Sequence, residues 1–250
     1  MIKRKSRHQI NLMKSAGKIV AEVLNEMYNA AKPGVSTIEL DEIAYNIIIK
    51  NRAIPSFKGY RGFPASICAS LNSEVVHGIP KPDIVLKDGD IISIDVGATY
   101  KGMVGDSAVT IPIGNIDKDI ELLLKVTNDA LYAGIEQMVA NNYLENVSGA
   151  IEDCALKHNL GIVRQYGGHG VGADMHEEPF LFNYRTGNQG PLLKSGMVIA
   201  IEPMFNLGGD DVKVLEDGWT VVTADNKPSA HFEHTVLVGE NGPEILTDRK

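Results

Sequence analysis

The chain has 250 residues, 44% of them hydrophobic and 22% charged, which is ordinary for a globular protein and enough to bury a core without covalent staples. A formal net charge of −8 argues against a general nucleic-acid surface, DNA included. Two cysteines, Cys68 and Cys154, make no disulfide framework, and no run reaches the ~18 apolar residues of a membrane span, so a cytoplasmic protein with no membrane partner is expected.

The start, MIKRKSRHQINLMK, is basic, with no apolar signal run behind it; it reads as a solvated helix entry, with a presequence or a ribosomal RNA contact as alternatives. Ile10, Met13, Ala16, Ile19, Val20, Val23, Leu24 and Met27 recur at three and four, which predicts an amphipathic helix over 7–31, stopped by Lys32-Pro33-Gly34. Ser36-Thr-Ile-Glu39 is a capping-box pattern opening a second helix to about Asn51. A strand-like segment follows from Ala65 to His77. In the second half, helices are expected over 117–140 and 146–158, the latter ended by Gly161. Strand-like pieces come next at 162–166, 197–202, 219–223 and 231–238.

Between the two sets of helices lies Ile91 to Thr110, a predicted hairpin with its reversal at Tyr100-Lys101-Gly102. A turn centred on Tyr100 and Lys101 pairs residue 99 with 102 and so sets Asp95 opposite Asp106. Opposed like charges destabilise a ladder, and a bound cation would reverse that sign.

The two halves repeat, about 1–113 and 114–250 within one domain. Leu86-Lys-Asp-Gly-Asp-Ile-Ile-Ser-Ile-Asp95 matches Leu193-Lys-Ser-Gly-Met-Val-Ile-Ala-Ile-Glu202, His77-Gly-Ile matches His169-Gly-Val, and Asp106-Ser-Ala-Val-Thr-Ile answers Glu233-His-Thr-Val-Leu-Val. Two such units pack as a pseudo-twofold α+β pair, with antiparallel sheets inside and helices outside. Their carboxylates Asp95, Asp106, Glu202 and Glu233 then converge near the pseudo-axis.

Four carboxylates in one cleft force some pKa values far up unless cations are bound. With one neutral imidazole they form an oxygen-rich set suited to two divalent ions, Mn, Fe, Co or Zn, roughly 3.5 Å apart, and so to hydrolysis. Three histidines compete for the ligand place. The glycines of Gly167-Gly-His-Gly-Val-Gly172 favour His169, leaving His77 and His176 to line the cleft and donate to a carbonyl or oxyanion. The glycine-rich run is a weak dinucleotide fingerprint, because serial βαβ units are missing. His176-Glu-Glu-Pro179 lacks the second histidine of the helical zinc signature. Cys68 has no local base to make it a nucleophile. Trp219, Phe57, Tyr60 and Phe63 are either core or an apolar wall for an uncharged side chain.

Over essentially its whole length the chain resembles the type I methionine aminopeptidases, of pita-bread fold. The segments that carry the likeness are Tyr60-Arg-Gly-Phe-Pro-Ala-Ser-Ile-Cys68, Val75-Val-His-Gly-Ile-Pro80, Ile94-Asp-Val-Gly97 with Gly105-Asp106, Gly168-His-Gly-Val-Gly172 with His176-Glu-Glu-Pro179, Ile201-Glu-Pro203 and Phe232-Glu-His-Thr235. The resemblance implies that Asp95, Asp106, His169, Glu202 and Glu233 bind two metal ions, and that Glu202 also shuttles the proton of a bridging water. It implies that His77 contacts the substrate backbone and that His176 assists at the scissile amide. Tyr60, Phe63, Cys68 and Trp219 match the methionine pocket, with Phe57 at its edge. The implied activity is removal of the initiator methionine from nascent polypeptides whose second residue is small, by a monomer whose own surface makes any ribosome contact. Ala173-Asp174, Met175 and His231 depart from the family's usual basic, aromatic and Gln residues, which touches the pocket outline and not the ligands. A proline-directed peptidase and a metal-free binding module are the competing readings.

Overall fold

The computed structural model describes residues 2–249. The first half runs α1 (Arg7–Ala30), α2 (Thr37–Lys50), β1 (Ile54–Pro55), β2 (Ile67–Leu71), β3 (Glu74–Val76), β4 (Ile91–Tyr100) and β5 (Met103–Pro112). The second runs α3 (Lys118–Glu136), α4 (Leu144–Lys157), β6 (Gly161–Ile162), β7 (Gly168–Gly170), β8 (Glu177–Leu181), β9 (Val198–Ile201), β10 (Met204–Asn206), β11 (Val212–Val214), β12 (Val221–Thr223), β13 (Ser229–His231), β14 (His234–Val238) and β15 (Pro243–Ile245).

Local chemistry explains the element ends. Ser6 and Gln9 close a capping box on α1: Ser6 Oγ accepts from the Gln9 N–H at 3.3 Å and the Gln9 side chain accepts from the Ser6 N–H at 2.9 Å. The apolar stripe of α1, including Met13, Val20, Leu24 and Met27, is buried. It lies directly on β5, because a Cβ on Gly105 would fall 2.7 Å from the Gly17 nitrogen. α3 stops at Glu136, short of the expected 140: Asn142 donates to the Gln137 carbonyl at 2.8 Å and Asn141 turns left-handed (φ 70), which opens α4 two residues early. The left-handed residue behind α4 is Asn159 (φ 55), not Gly161, which starts β6. The expected strand over 65–77 breaks into β2 and β3 at Asn72 (φ 54), and that over 231–238 breaks between β13 and β14.

Every strand pairing is antiparallel. In the first half β4 pairs β2 on one edge and β5 on the other; in the second, β9 pairs β7 and β14 in the same way. This is the expected duplication. The core joins both halves, with Val20, Leu40 and Ile94 packed in one cluster with Leu131, Ile151 and Ile201. At the pseudo-axis the halves are stitched through hydroxyls: Thr235 Oγ1 donates to the Asp106 carbonyl at 2.8 Å, Thr110 Oγ1 donates to the His231 carbonyl at 2.9 Å, and Ser107 Oγ donates to the Glu233 carbonyl.

Three details of the expected register are corrected. The hairpin turn is Lys101-Gly102, both at positive φ (48° and 79°), so Tyr100 pairs with Met103 and Asp106 lies opposite Gly97, not Asp95. A two-residue turn of this kind matches the strand twist better than the reversal assumed from sequence. His77 is not the counterpart of His169: β2 answers β7, Ser70 holds the level of His169, and His77 lies beyond β3 at φ 61. Glu233 falls level with Ala108 rather than Asp106, and its N–H donates to the Ala108 carbonyl at 2.9 Å.

Candidate metal centre and substrate pocket

The hairpin and Glu233 slips are by two residues, and strand side chains alternate with a period of two, so the carboxylates still share a face. Asp95 and Asp106 are diagonal neighbours across β4 and β5, and Gly97, opposite Asp106, lets the pocket wall close in, since a Cβ there would fall 2.8 Å from the Phe57 ring. Glu202 directly follows β9, Glu233 sits between β13 and β14, and His169 is the middle residue of β7. The glycines around His169 are required: a Cβ on Gly168 would lie 2.3 Å from the Ala200 carbonyl and one on Gly170 2.2 Å from that of Glu178.

His169 Nδ1 lies 3.0 Å from the Gly170 carbonyl, which can only accept, so the ring proton is there and Nε2 carries a lone pair. That lone pair faces Asp106 Oδ2 at 3.7 Å and Glu202 Oε1 at 3.6 Å. Ligand atoms of Asp106, His169 and Glu233 all lie within 4.8 Å of one another. Such separations are too long for hydrogen bonds and suit donors placed ~2.1 Å from a shared ion. Asp95 Oδ1, Asp106 Oδ1 and Glu233 Oε1 are buried with no hydrogen-bond partner. Burial pushes Asp95 up to about 7, helped by Glu202 and opposed by His231. Burial, then the neighbouring carboxylates, drives Asp106 and Glu233 well above the ordinary range; burial alone does so for Glu202. Buried and orphaned acceptors around an imidazole lone pair are a donor set that fits divalent cations.

All five of these residues line one cavity of about 270 Å³ together with His77, His176, Phe57, Tyr60, Phe63, Cys68 and Trp219, so every side chain singled out from sequence meets in one place. Phe63 stands edge-on to Trp219 at 5.1 Å, and Trp219 is edge-on to His77 at 6.2 Å. Tyr60 stacks on His176 at 5.5 Å, with its hydroxyl 2.9 Å from His176 Nδ1. The His176 ring lies 4.2 Å from that of His169. Burial lowers His77 and His169 to about 4, with His176 contributing to both, so these imidazoles are neutral near pH 7.

Residues 11–240 match the model of metallopeptidase family M24. The chain belongs to this family. The metallopeptidase is 52% identical over 247 residues to methionine aminopeptidase 1 of Bacillus subtilis (strain 168), covering 99% of each chain. Its fold superposes on a crystal structure of methionine aminopeptidase from Thermotoga maritima with a TM-score of 0.97 at 44% identity, over 99% of this chain and 100% of that one. A prolidase from Pyrococcus horikoshii OT3 shares the fold alone, at 20% identity and TM-score 0.80, and the match covers 64% of that longer chain. The metallopeptidase therefore has the α+β pita-bread fold expected of it.

Several cavity residues of the metallopeptidase carried no signal in the sequence. Tyr166 stands edge-on to His77 at 5.6 Å, and Arg61, Gln165 and Phe180 also reach the cavity. Tyr166 sits three residues before His169, and that closeness to a ligand was the one available clue. Met175, noted only as a departure, lies in the wall. His231, the other departure, is buried behind the ligands with Nε2 3.5 Å from Glu202 Oε2. Cys68 is a packing residue: burial first, then Asp95 and Asp106, pushes its thiol well up, which disfavours the thiolate.

Proposed function

We propose that this metallopeptidase is a methionine aminopeptidase that removes the initiator methionine from nascent polypeptides whose second residue is small. The observation that carries the reading is the meeting, in one cavity, of four buried carboxylates and a neutral histidine with an apolar wall. Asp95, Asp106, His169, Glu202 and Glu233 hold two divalent ions, drawn from Mn, Fe, Co or Zn. Such ions supply Lewis acidity and lower the pKa of water at the site.

The chain's own groups do the rest. Phe57, Tyr60, Phe63, Cys68 and Trp219 enclose the methionine side chain, whose thioether suits aromatic edges. A cavity of about 270 Å³ is small, so little room remains beyond that side chain and a small second residue. His77 holds the peptide backbone. The Tyr60 hydroxyl donates to His176 Nδ1, which keeps the other ring proton on Nε2, free to donate to the carbonyl oxygen as it gains charge. Glu202 takes the proton from the attacking water and returns it to the amine as the C–N bond breaks.

Both pseudo-repeat halves, 1–113 and 114–250, work as one catalytic domain, a monomer in the cytoplasm, with any ribosome contact made by its own surface. Among the described residues no helix is long and apolar enough to cross a membrane. Hydrolysis of a Met-Ala dipeptide, by metal-free protein and after reloading with each of Mn, Fe, Co and Zn, tests the assignment. Cleavage in no arm would overturn it in favour of a binding module; cleavage of X-Pro peptides alone would favour the proline-directed rival.

A further inference from the structure

One wall of the cavity continues outside it. Phe180 lies directly across β7 and β8 from His169, so the two side chains stand on the same face, and the Phe180 ring covers the space a Cβ on Gly167 would enter. β8 is the outer strand of its sheet, and alternate residues carry the face onward past its end. Phe182 stands edge-on to Phe180 at 4.7 Å, and Tyr184 follows at 5.3 Å, capped by the Arg164 guanidinium at 4.6 Å. Phe180 is 42% exposed. Single exposed apolar side chains are common; a run of rings in mutual contact that begins inside a binding cavity is not. Arg164 is already paired with Asp210 at 2.8 Å, so the row offers no free cation at its end and suits an apolar occupant.

We propose that Phe180, Phe182 and Tyr184 form a track that receives the third to fifth residues of the substrate and favours apolar or aromatic side chains at the third and fifth, which face it. This rests on the aminopeptidase reading, which requires the rest of the peptide to leave the cavity in extended form. Three ring positions about 5 Å apart span roughly three residues of extended chain at ~3.3 Å each. Ring-to-side-chain contacts of this kind are worth about threefold to tenfold in affinity.

The test compares kcat/KM for Met-Ala-Phe-Leu-Phe and Met-Ala-Ser-Ser-Ser in the wild type, Phe182→Ser and the conservative Phe182→Tyr. The expected ratio is about 3–10 or more in the wild type and in Phe182→Tyr, carried by KM, and at least about threefold lower in Phe182→Ser. A wild-type ratio of one, or a ratio that Phe182→Ser leaves unchanged, overturns the track. Sedimentation that shows a wild-type dimer dissociated by Phe182→Ser also overturns it, since a second copy of the chain then covers the row. If no Met-Ala peptide is cleaved, the aminopeptidase reading fails separately, and the same ratio read from equilibrium binding of fluorescently labelled peptides still decides for or against the track.

Discussion

Lys5→Met should destabilise the protein far more than an N-terminal surface substitution would, and it should act on the segment that carries His176. Lys5 Nζ lies 2.8 Å from Glu177 Oε2, with the two side chains only 4% and 5% exposed. The lysine stem threads through the gap left by Gly172, where a Cβ would fall 2.4 Å from Lys5 Cε. Burial raises the Glu177 carboxyl, but the Lys5 hydrogen bond and charge, with the Asp174 N–H and Lys3, bring it below its ordinary value. Its other oxygen accepts from the N–H of Ala173 at 3.0 Å and that of Asp174 at 3.4 Å, so one carboxylate ties the N-terminal arm to the 173–177 turn. Removing one partner of a buried pair costs about 3–5 kcal/mol, or roughly 6–20 °C in Tm for a chain of this size. Because a lowered carboxyl pKa stabilises above the ordinary value and that gain is lost on acidification, the variant should also lose part of the wild type's fall in stability below about pH 4.5. Thermal melts across pH 3–7 on Lys5→Met, Lys5→Arg and the double variant Lys5→Met/Glu177→Gln provide the assay. The double variant should recover most of the loss, since no buried charge is left unpaired. A change under about 0.5 kcal/mol in Lys5→Met, the usual size for a surface site, would refute the reasoning.

Asp95→Asn and His169→Ala should lose metal and turnover together, whereas His176→Ala should keep its metal and lose ~10²-fold in rate; metal analysis beside kinetics decides, and equal metal loss in all three would erase the division between ligand and donor. In metal-free protein the raised carboxyls of Asp95, Asp106, Glu202 and Glu233 stabilise at low pH, and that contribution is lost as pH rises, through about 7 for Asp95. Melting of chelated protein should therefore worsen toward pH 7.5, and Asp106→Asn should raise the metal-free melting point there; a fall would contradict a repulsive cluster. In folded protein a thiol reagent should label half-exposed Cys154 ahead of buried Cys68, counted by mass.

The sequence made the cluster legible because a duplicated unit repeats its face as well as its order. The hairpin was expected two residues out of register, as was the match of Glu233 to Asp106, yet both errors kept the side chains on the correct face, since parity and not level decides where a strand side chain points. His77 is the contrasting case. Its likeness to His169 in local sequence is not a likeness in position, and it reaches the cavity only through the left-handed backbone beyond β3. What stayed hidden lay where the pattern carries no chemical signal: Tyr166, on irregular backbone because the strand expected over 162–166 ends at Ile162, and β8, whose row of rings is spaced like an ordinary strand face.

Acidic side chains serve this site in two opposed ways, and the difference explains why some parts of it are rigid by necessity. The ligand carboxylates on or beside β4, β5, β9 and β14 are kept short of hydrogen bonds, with buried oxygens of Asp95, Asp106 and Glu233 left unpartnered, so that they remain available to cations. Away from the cluster, at the strand ends and turns that carry parts of the pocket wall, carboxylates are saturated instead. Asp41 accepts from the N–H groups of Ser66 and Ile67 just ahead of Cys68. Asp217 accepts from the N–H groups of Trp219 and Thr220 and from the Thr220 hydroxyl. Glu177 accepts from Ala173, Asp174 and Lys5 beside His176. Where the ladder begins or stops, at the start of β2, before β12 and in the turn before β8, these three carboxylates take up backbone donors otherwise left to water. Substitution of Asp41 or Asp217, which hold the backbone at Cys68 and Trp219, should therefore raise KM for Met-Ala peptides while metal analysis shows bound metal unchanged, the reverse of the order expected for the ligands themselves.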